Sequence, residues 1–153
     1  MHALENRLPP PLVMLAFAVA LWLAARALPP PIIPYPVRFT MTALLSVAAA
    51  AFLLPALKAF ARAGTTVNPI AIDTASALVT TGSYRISRNP MYVGLTLLLA
   101  AWAVGLGSAW LLAGPLLYAL FITRFQIVPE ERVMQARFGD AYTAYRQQVR
   151  RWL

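Results

Sequence analysis

Two short polar blocks carry most of the groups able to do chemistry in this sequence: Arg88-Asn89-Pro90-Met91-Tyr92 and Glu130-Glu131. A guanidinium, an amide and a phenol on one side, with two carboxylates on the other, suit a small zwitterion that also carries a planar ring. Neighbouring residues on a helix point about 100° apart. Glu130 and Glu131 therefore serve different contacts, one facing a cleft and the other satisfying free amides at a helix N-terminus. Read alone, an acidic pair at a membrane boundary is equally an interfacial cap. The chain has no cysteine and a single histidine, His2, close to its start. Thiolate catalysis, cysteine metal sites, histidine triads and multi-histidine metal centres are thereby removed, and no metal is expected.

What must position these blocks is membrane. Of 153 residues, 60% are hydrophobic and only 12% charged, about half the charged fraction of a soluble domain. Four apolar stretches, residues 12–28, 37–57, 91–106 and 109–128, approach the roughly 20 residues that cross the hydrocarbon core. Triple prolines at 9–11 and 29–31 bound the first. The first stretch lacks the flanks of a cleaved leader and reads as a retained anchor. The predicted fold class is an all-α integral membrane protein of about four transmembrane helices, with a C-terminal amphipathic segment at the cytoplasmic side. Residues 1–153 form a single domain, with an N-terminal helical pair (12–57) and a region 64–153 that contains the hairpin 91–128.

Cations set the orientation. Lys58, Arg62, Arg85 and Arg88 lie between the second and third stretches, and Arg132, Arg137, Arg146, Arg150 and Arg151 lie in the tail. Residues 29–36 and 105–108 carry no charge. The positive-inside rule places both termini and the middle segment in the cytoplasm. The net charge of +8 is then explained by cations beside span ends, facing membrane lipids. No basic-aromatic repeat or zinc-finger spacing points to nucleic acid.

Gly105 and Gly107 turn the third stretch back into the fourth, which brings Arg88, Asn89 and Tyr92 to the same face as Glu130 and Glu131. Residues 63–87 read as a long ordered loop of the kind that covers sites. Pro129 suits the first turn of a helix. Gly139 should interrupt that helix, and Tyr142, Tyr145, Val149 and Trp152 recur at amphipathic spacing against the membrane surface.

The run Gly82-Ser83-Tyr84-Arg85-Ile86-Ser87-Arg88-Asn89-Pro90-Met91-Tyr92-Val93-Gly94 resembles the signature of the isoprenylcysteine carboxyl methyltransferase family, a group related to the membrane phospholipid methyltransferases. Glu130-Glu131, Phe138-Gly139-Asp140, Tyr142, Tyr145, Val149 and Arg150 continue the likeness. So do Gly64-Thr65-Thr66-Val67-Asn68-Pro69 and Leu78-Val79-Thr80-Thr81-Gly82 upstream. The resemblance implies a bacterial inner-membrane enzyme that uses S-adenosyl-L-methionine to methylate a lipophilic acceptor. It would give Arg88, Asn89, Pro90, Tyr92, Glu130, Glu131, Tyr142 and Tyr145 to the cofactor, and Glu131 and Arg150 to catalysis, with Arg150 meeting an anionic substrate group. Members acting on isoprenylcysteine often carry histidine where this chain has Asn89, so the departure falls on the acceptor.

Methyl transfer to a charged nucleophile needs alignment and a partly dehydrated pocket rather than acid–base machinery. An amine acceptor would need to lose a proton, with Glu130, Glu131 or water receiving it. The competing class is a non-enzymatic membrane binding or assembly protein. A small transporter fits less well, because the second to fourth stretches hold no ionisable group at depth.

Overall fold

The computed structural model describes residues 8–27, 33–63 and 78–153. Gly64-Thr65-Thr66-Val67-Asn68-Pro69, His2, the second triple proline and most of the long loop fall outside the described residues. Among the described residues every regular element is helical. The helices are α1 (Pro10–Ala27), α2 (Tyr35–Ala63), α3 (Pro90–Leu106), α4 (Ala113–Ile122) and α5 (Val128–Gln148). A 3₁₀ turn, Gly82–Arg85, precedes α3, and a second, Ala109–Leu112, leads into α4.

The molecule is apolar outward. Leu12, Leu15, Val19 and Leu23 on α1, Phe39, Leu44, Val47 and Leu54 on α2, and Leu116, Leu117 and Leu120 on α4 are all exposed. Water does not tolerate so continuous a surface, whereas lipid does. Three segments, Pro10–Ala27, Tyr35–Arg62 and Ala109–Gln148, are long and apolar enough to cross a bilayer, and Pro90–Leu106 is a shorter apolar helix. The chain is an integral membrane protein. Within the last of these segments the apolar part ends near Val128, where Pro129, Glu130 and Glu131 begin a polar helix.

Small residues hold the helices together, because lipid offers no hydrophobic drive between them and close approach must supply the contact. The antiparallel pair α2–α3 meets across Gly94, where an added Cβ would lie 2.4 Å from Leu53 Cγ and 3.1 Å from the Ala49 carbonyl oxygen. Farther along the same seam, Thr42 Oγ1 donates to the Ala101 carbonyl at 3.3 Å and Arg38 Nη1 to the Gly105 carbonyl at 3.3 Å. On the other side, α1 packs on α3 and α4. Leu21 fits over Gly114, and Trp102 Nε1 donates to the Ala18 carbonyl at 3.0 Å. Val13, Leu21, Leu99, Leu111, Tyr118, Ile122 and Ile127 form the buried core between these helices.

Three local features differ from the sequence expectation in ways that matter for the site. First, Pro55 lies inside α2 rather than near its exit, and α2 runs on to Ala63. The missing proline amide frees the Ala51 carbonyl. Beside it the 3₁₀ turn docks, with Ser83 Oγ donating to the Phe52 carbonyl at 3.3 Å. Second, the bend after α3 is made by Gly107 alone, at φ 87°, while Gly105 remains helical. Third, no break separates α4 from the helix that carries Pro129. The chain passes through a π-helical turn, Thr123–Ile127, straight into α5, with Pro129 in the first turn of α5. Proline cannot donate to the Phe125 carbonyl and its ring crowds the preceding turn. Widening that turn to i→i+5 bonding relieves both.

Candidate functional site

Pro90 opens α3 at the position where a proline ring is pre-set for a helix and no amide is missed. This leaves Ser87, Arg88 and Asn89 as a short strap entering the helix. All three hold the C-terminal tail. Arg88 N donates to the Arg150 carbonyl at 2.9 Å. Ser87 Oγ and Asn89 Nδ2 donate to the Arg151 carbonyl at 3.3 and 2.9 Å. Arg88 Nη1 caps the end of α5, donating to the carbonyls of Arg146 and Val149 at 3.2 and 3.1 Å. A cation there also meets the negative end of the helix.

The tail reaches the strap because α5 folds back on itself. Gly139 adopts φ 49° and ψ −121°, a conformation suited to glycine. Gln135 Nε2 bridges the bend, donating to the Gly139 carbonyl at 3.1 Å and to Thr143 Oγ1 at 3.0 Å. Tyr142, Tyr145 and Val149 are buried with Leu78, Met134 and Phe138. Tyr145 Oη donates to the Tyr84 carbonyl at 2.7 Å. The aromatic stripe expected on the membrane surface is thus packed inside the protein. Burial, reinforced by Tyr145, pushes the Tyr84 phenol well above its ordinary value. Burial likewise carries Tyr142 up to about 12.

The two glutamates diverge as their helical positions require. Glu130 accepts from the Tyr92 phenol at 2.5 Å. Burial pushes its carboxyl up to about 7, with the Tyr92 bond pulling down and the Glu131 charge adding to the rise. Glu131 accepts from Arg88 Nη2 at 2.7 Å and, in a fork, from Arg151 Nε at 3.0 Å and Nη2 at 2.7 Å. Burial alone would raise the Glu131 carboxyl, but the bonds to Arg151 and Arg88 outweigh it and hold the group below its ordinary value. One carboxyl is therefore poised near neutrality while its neighbour stays ionised.

Of the residues named from sequence, Arg88, Asn89, Pro90, Tyr92, Glu130 and Glu131 converge at one end of the α3–α4 hairpin, and Tyr142 and Tyr145 pack behind them. Arg150 does not join them through its side chain, which is exposed; its carbonyl alone takes part. The inward cation is Arg151. Val149 leaves the helix in an extended conformation, φ −125° and ψ 133°, and in extended chain successive side chains face opposite ways. Sequence offered two adjacent arginines and no means of choosing between them. Gln126 lies four residues before Glu130. It is fully buried, donates from Nε2 to the Leu8 carbonyl at 2.8 Å, and leaves Oε1 without a partner.

Between the arms of α5 lies a cleft of about 400 Å³, lined by Val128, Glu131, Arg132, Gln135, Ala136 and Arg146. It combines one carboxylate, two guanidiniums and two apolar residues, at a size typical of small-molecule sites. Among the described residues no group of three or more His, Asp or Glu side chains is placed to hold a metal.

An uncharacterized protein of Haemophilus influenzae is 44% identical over 63 residues, which cover 41% of this chain and 100% of that protein. No solved structure matches the chain. Residues 37–141 match the phospholipid methyltransferases, a span that takes in α2, the strap, both polar blocks and the bend at Gly139. The chain belongs to the phospholipid methyltransferase family.

Proposed function

We propose that this membrane methyltransferase uses S-adenosyl-L-methionine and methylates a lipophilic small molecule or lipid at the cytoplasmic face of a bacterial inner membrane. Residues 1–153 act as one domain with both termini cytoplasmic; 12–57 supply the N-terminal helical pair and 64–153 the catalytic region, hairpin 91–128 included. The observation that carries the reading is the meeting of Arg88, Tyr92, Glu130 and Glu131 under a docked tail, in a chain of this family.

The residues present fit such a cofactor. Glu131 offers a carboxylate to an ammonium group, and Arg146, which lines the same cleft, offers a guanidinium to a carboxylate. When bound, the cofactor supplies an activated methyl group on a sulfonium. The chain's part is then to bind, orient and exclude water. Pro90 and Tyr92 shape the adenosyl end of the site from the start of α3, and Arg88 and Asn89 keep the tail seated. Tyr142 and Tyr145 fix the closing arm, and the partly dehydrated cleft favours attack by the acceptor. Glu130, held by Tyr92, takes a proton where the acceptor arrives with one. Arg150, exposed at the rim, serves an anionic group of the acceptor.

Calorimetric titration of detergent-purified protein with S-adenosylhomocysteine tests the reading. Saturable one-to-one binding, lost in Glu131→Ala with helicity unchanged, is the expected result. Absence of binding by folded protein, repeated in lipid nanodiscs, would overturn it.

A further inference from the structure

Glu131 is nearly saturated. Oε1 receives both Arg88 Nη2 and Arg151 Nε, and Oε2 receives Arg151 Nη2, while a carboxylate has about four lone-pair sites in all. The carboxylate also lines the cleft. A ligand ammonium seeking it meets a guanidinium already in place.

The two guanidiniums are held very differently. The Arg88 side chain is 9% exposed and is also held through Nη1 by two main-chain carbonyls, whereas that of Arg151 is 38% exposed and makes its side-chain bonds to Glu131. The tail does not depend on the Arg151 side chain for its seat. Arg88 N holds the Arg150 carbonyl, Ser87 and Asn89 hold the Arg151 carbonyl, and Trp152 Nε1 donates to Thr123 Oγ1 at 3.2 Å. The Arg151 guanidinium, bonded through its side chain to Glu131 and open to solvent on its outer side, can swing away while the main chain stays docked.

We propose that Glu131 is an exchangeable seat for a primary ammonium, with Arg151 as the resident cation that the ligand displaces. This rests on the cofactor reading above and deepens it. A ligand bringing an ammonium replaces Arg151 on Glu131 and leaves the Arg88 bond intact. A ligand with only the nucleoside part leaves Arg151 where it is. The site thereby selects for the amino-acid end of its ligand, and the affinity measured for such a ligand is lowered by the fraction of time Arg151 occupies the seat.

The test compares S-adenosylhomocysteine with 5′-methylthioadenosine, which lacks the amino-acid end, by calorimetry on the full chain and on Arg151→Ala and Arg151→Met. Arg151→Met keeps an apolar stem over the site and guards against loosening of the tail in the alanine variant. Thermal unfolding establishes that each variant is folded. The expected result is S-adenosylhomocysteine binding tightened by roughly three- to tenfold in both variants, with 5′-methylthioadenosine unchanged. Weaker or unchanged S-adenosylhomocysteine binding in folded variants would overturn the exchange and make Arg151 a positioning residue. Equal tightening of both ligands would overturn it in favour of general loosening. Failure of S-adenosylhomocysteine to bind any folded form would instead remove the cofactor reading beneath it.

Discussion

Arg88 Nη2 and Glu131 Oε1 lie 2.7 Å apart although 43 residues separate them in sequence, and together with the bonds of Arg88 to the Arg146, Val149 and Arg150 carbonyls this contact ties the hairpin end, the folded-back arm and the tail into a single unit. Its side chains are 9% and 10% exposed, so the pair works largely out of water. Removing one partner of such a pair leaves the other charge without its compensation.

Arg88→Ala should therefore lower stability by about 3 kcal/mol and abolish methyl transfer. Arg88→Lys should recover only part of either, because a single nitrogen cannot stand both where Nη2 meets Glu131 and where Nη1 meets the two carbonyls. Thermal unfolding in detergent reads the stability. Limited trypsin digestion at Arg146, Arg150 and Arg151 reads release of the tail, and tail protection in Arg88→Ala equal to that of the parent would refute the strap.

Glu130 and Glu131 should give stability opposite pH dependences. The folded carboxyl of Glu130 is raised from 4.5 to about 7, so its contribution is full below the lower value and lost as pH rises through the higher one. Glu131 is lowered, so its contribution is present above the ordinary carboxylate value and lost as pH falls through the depressed one. Melting temperature should peak in mild acid and decline towards neutral pH. Glu130→Gln should flatten the decline and leave the acid limb. A variant that keeps the full neutral-side slope would show that another group carries it.

Gly94→Val should destabilise by about 2 kcal/mol through overpacking. Leu53 can give way to the new side chain, but the Ala49 carbonyl, 3.1 Å from the position of a Cβ, is fixed in α2. Leu53→Ala added to Gly94→Val should restore part of the loss, and a double mutant whose losses simply add would argue against this contact as the cause.

The absence of cysteine makes the orientation directly measurable. Ser108→Cys should react with an impermeant maleimide from the non-cytoplasmic side, and Arg150→Cys only once the membrane is opened. The reverse pattern would invert the proposed topology.

The helices were legible because prolines, glycines and long apolar runs act locally: Pro90 at the start of α3 and Gly107 after its end need no tertiary information. The convergence of the two polar blocks was also legible, since a tight turn between antiparallel helices returns the chain to the same face. The fate of the tail was not. The spacing of Tyr142, Tyr145 and Val149 marks an apolar face but not what covers it, and the bend at Gly139 turned that face onto Leu78 and Met134 instead of lipid. The choice of Arg151 over Arg150 depended on the helix ending before Val149, a boundary fixed by Arg88 from far away in sequence. Pro129 was legible as a first-turn residue, yet its effect on the preceding helix required knowing that no break came before it.

The wide turn at Thr123–Ile127 has a consequence for how the chain tolerates changes in length. Deleting one residue from a regular stretch of α4 rotates everything beyond it by about 100°, which would turn Glu130 from Tyr92 and Glu131 from Arg88. Within the turn the chain already holds one residue more than α-helical winding needs. A single deletion there can tighten the winding while both flanks keep their facing. The chain thus stores one spare residue midway between the face that grips α1 and the face that carries the glutamates, so it can shorten at that point without re-aiming either.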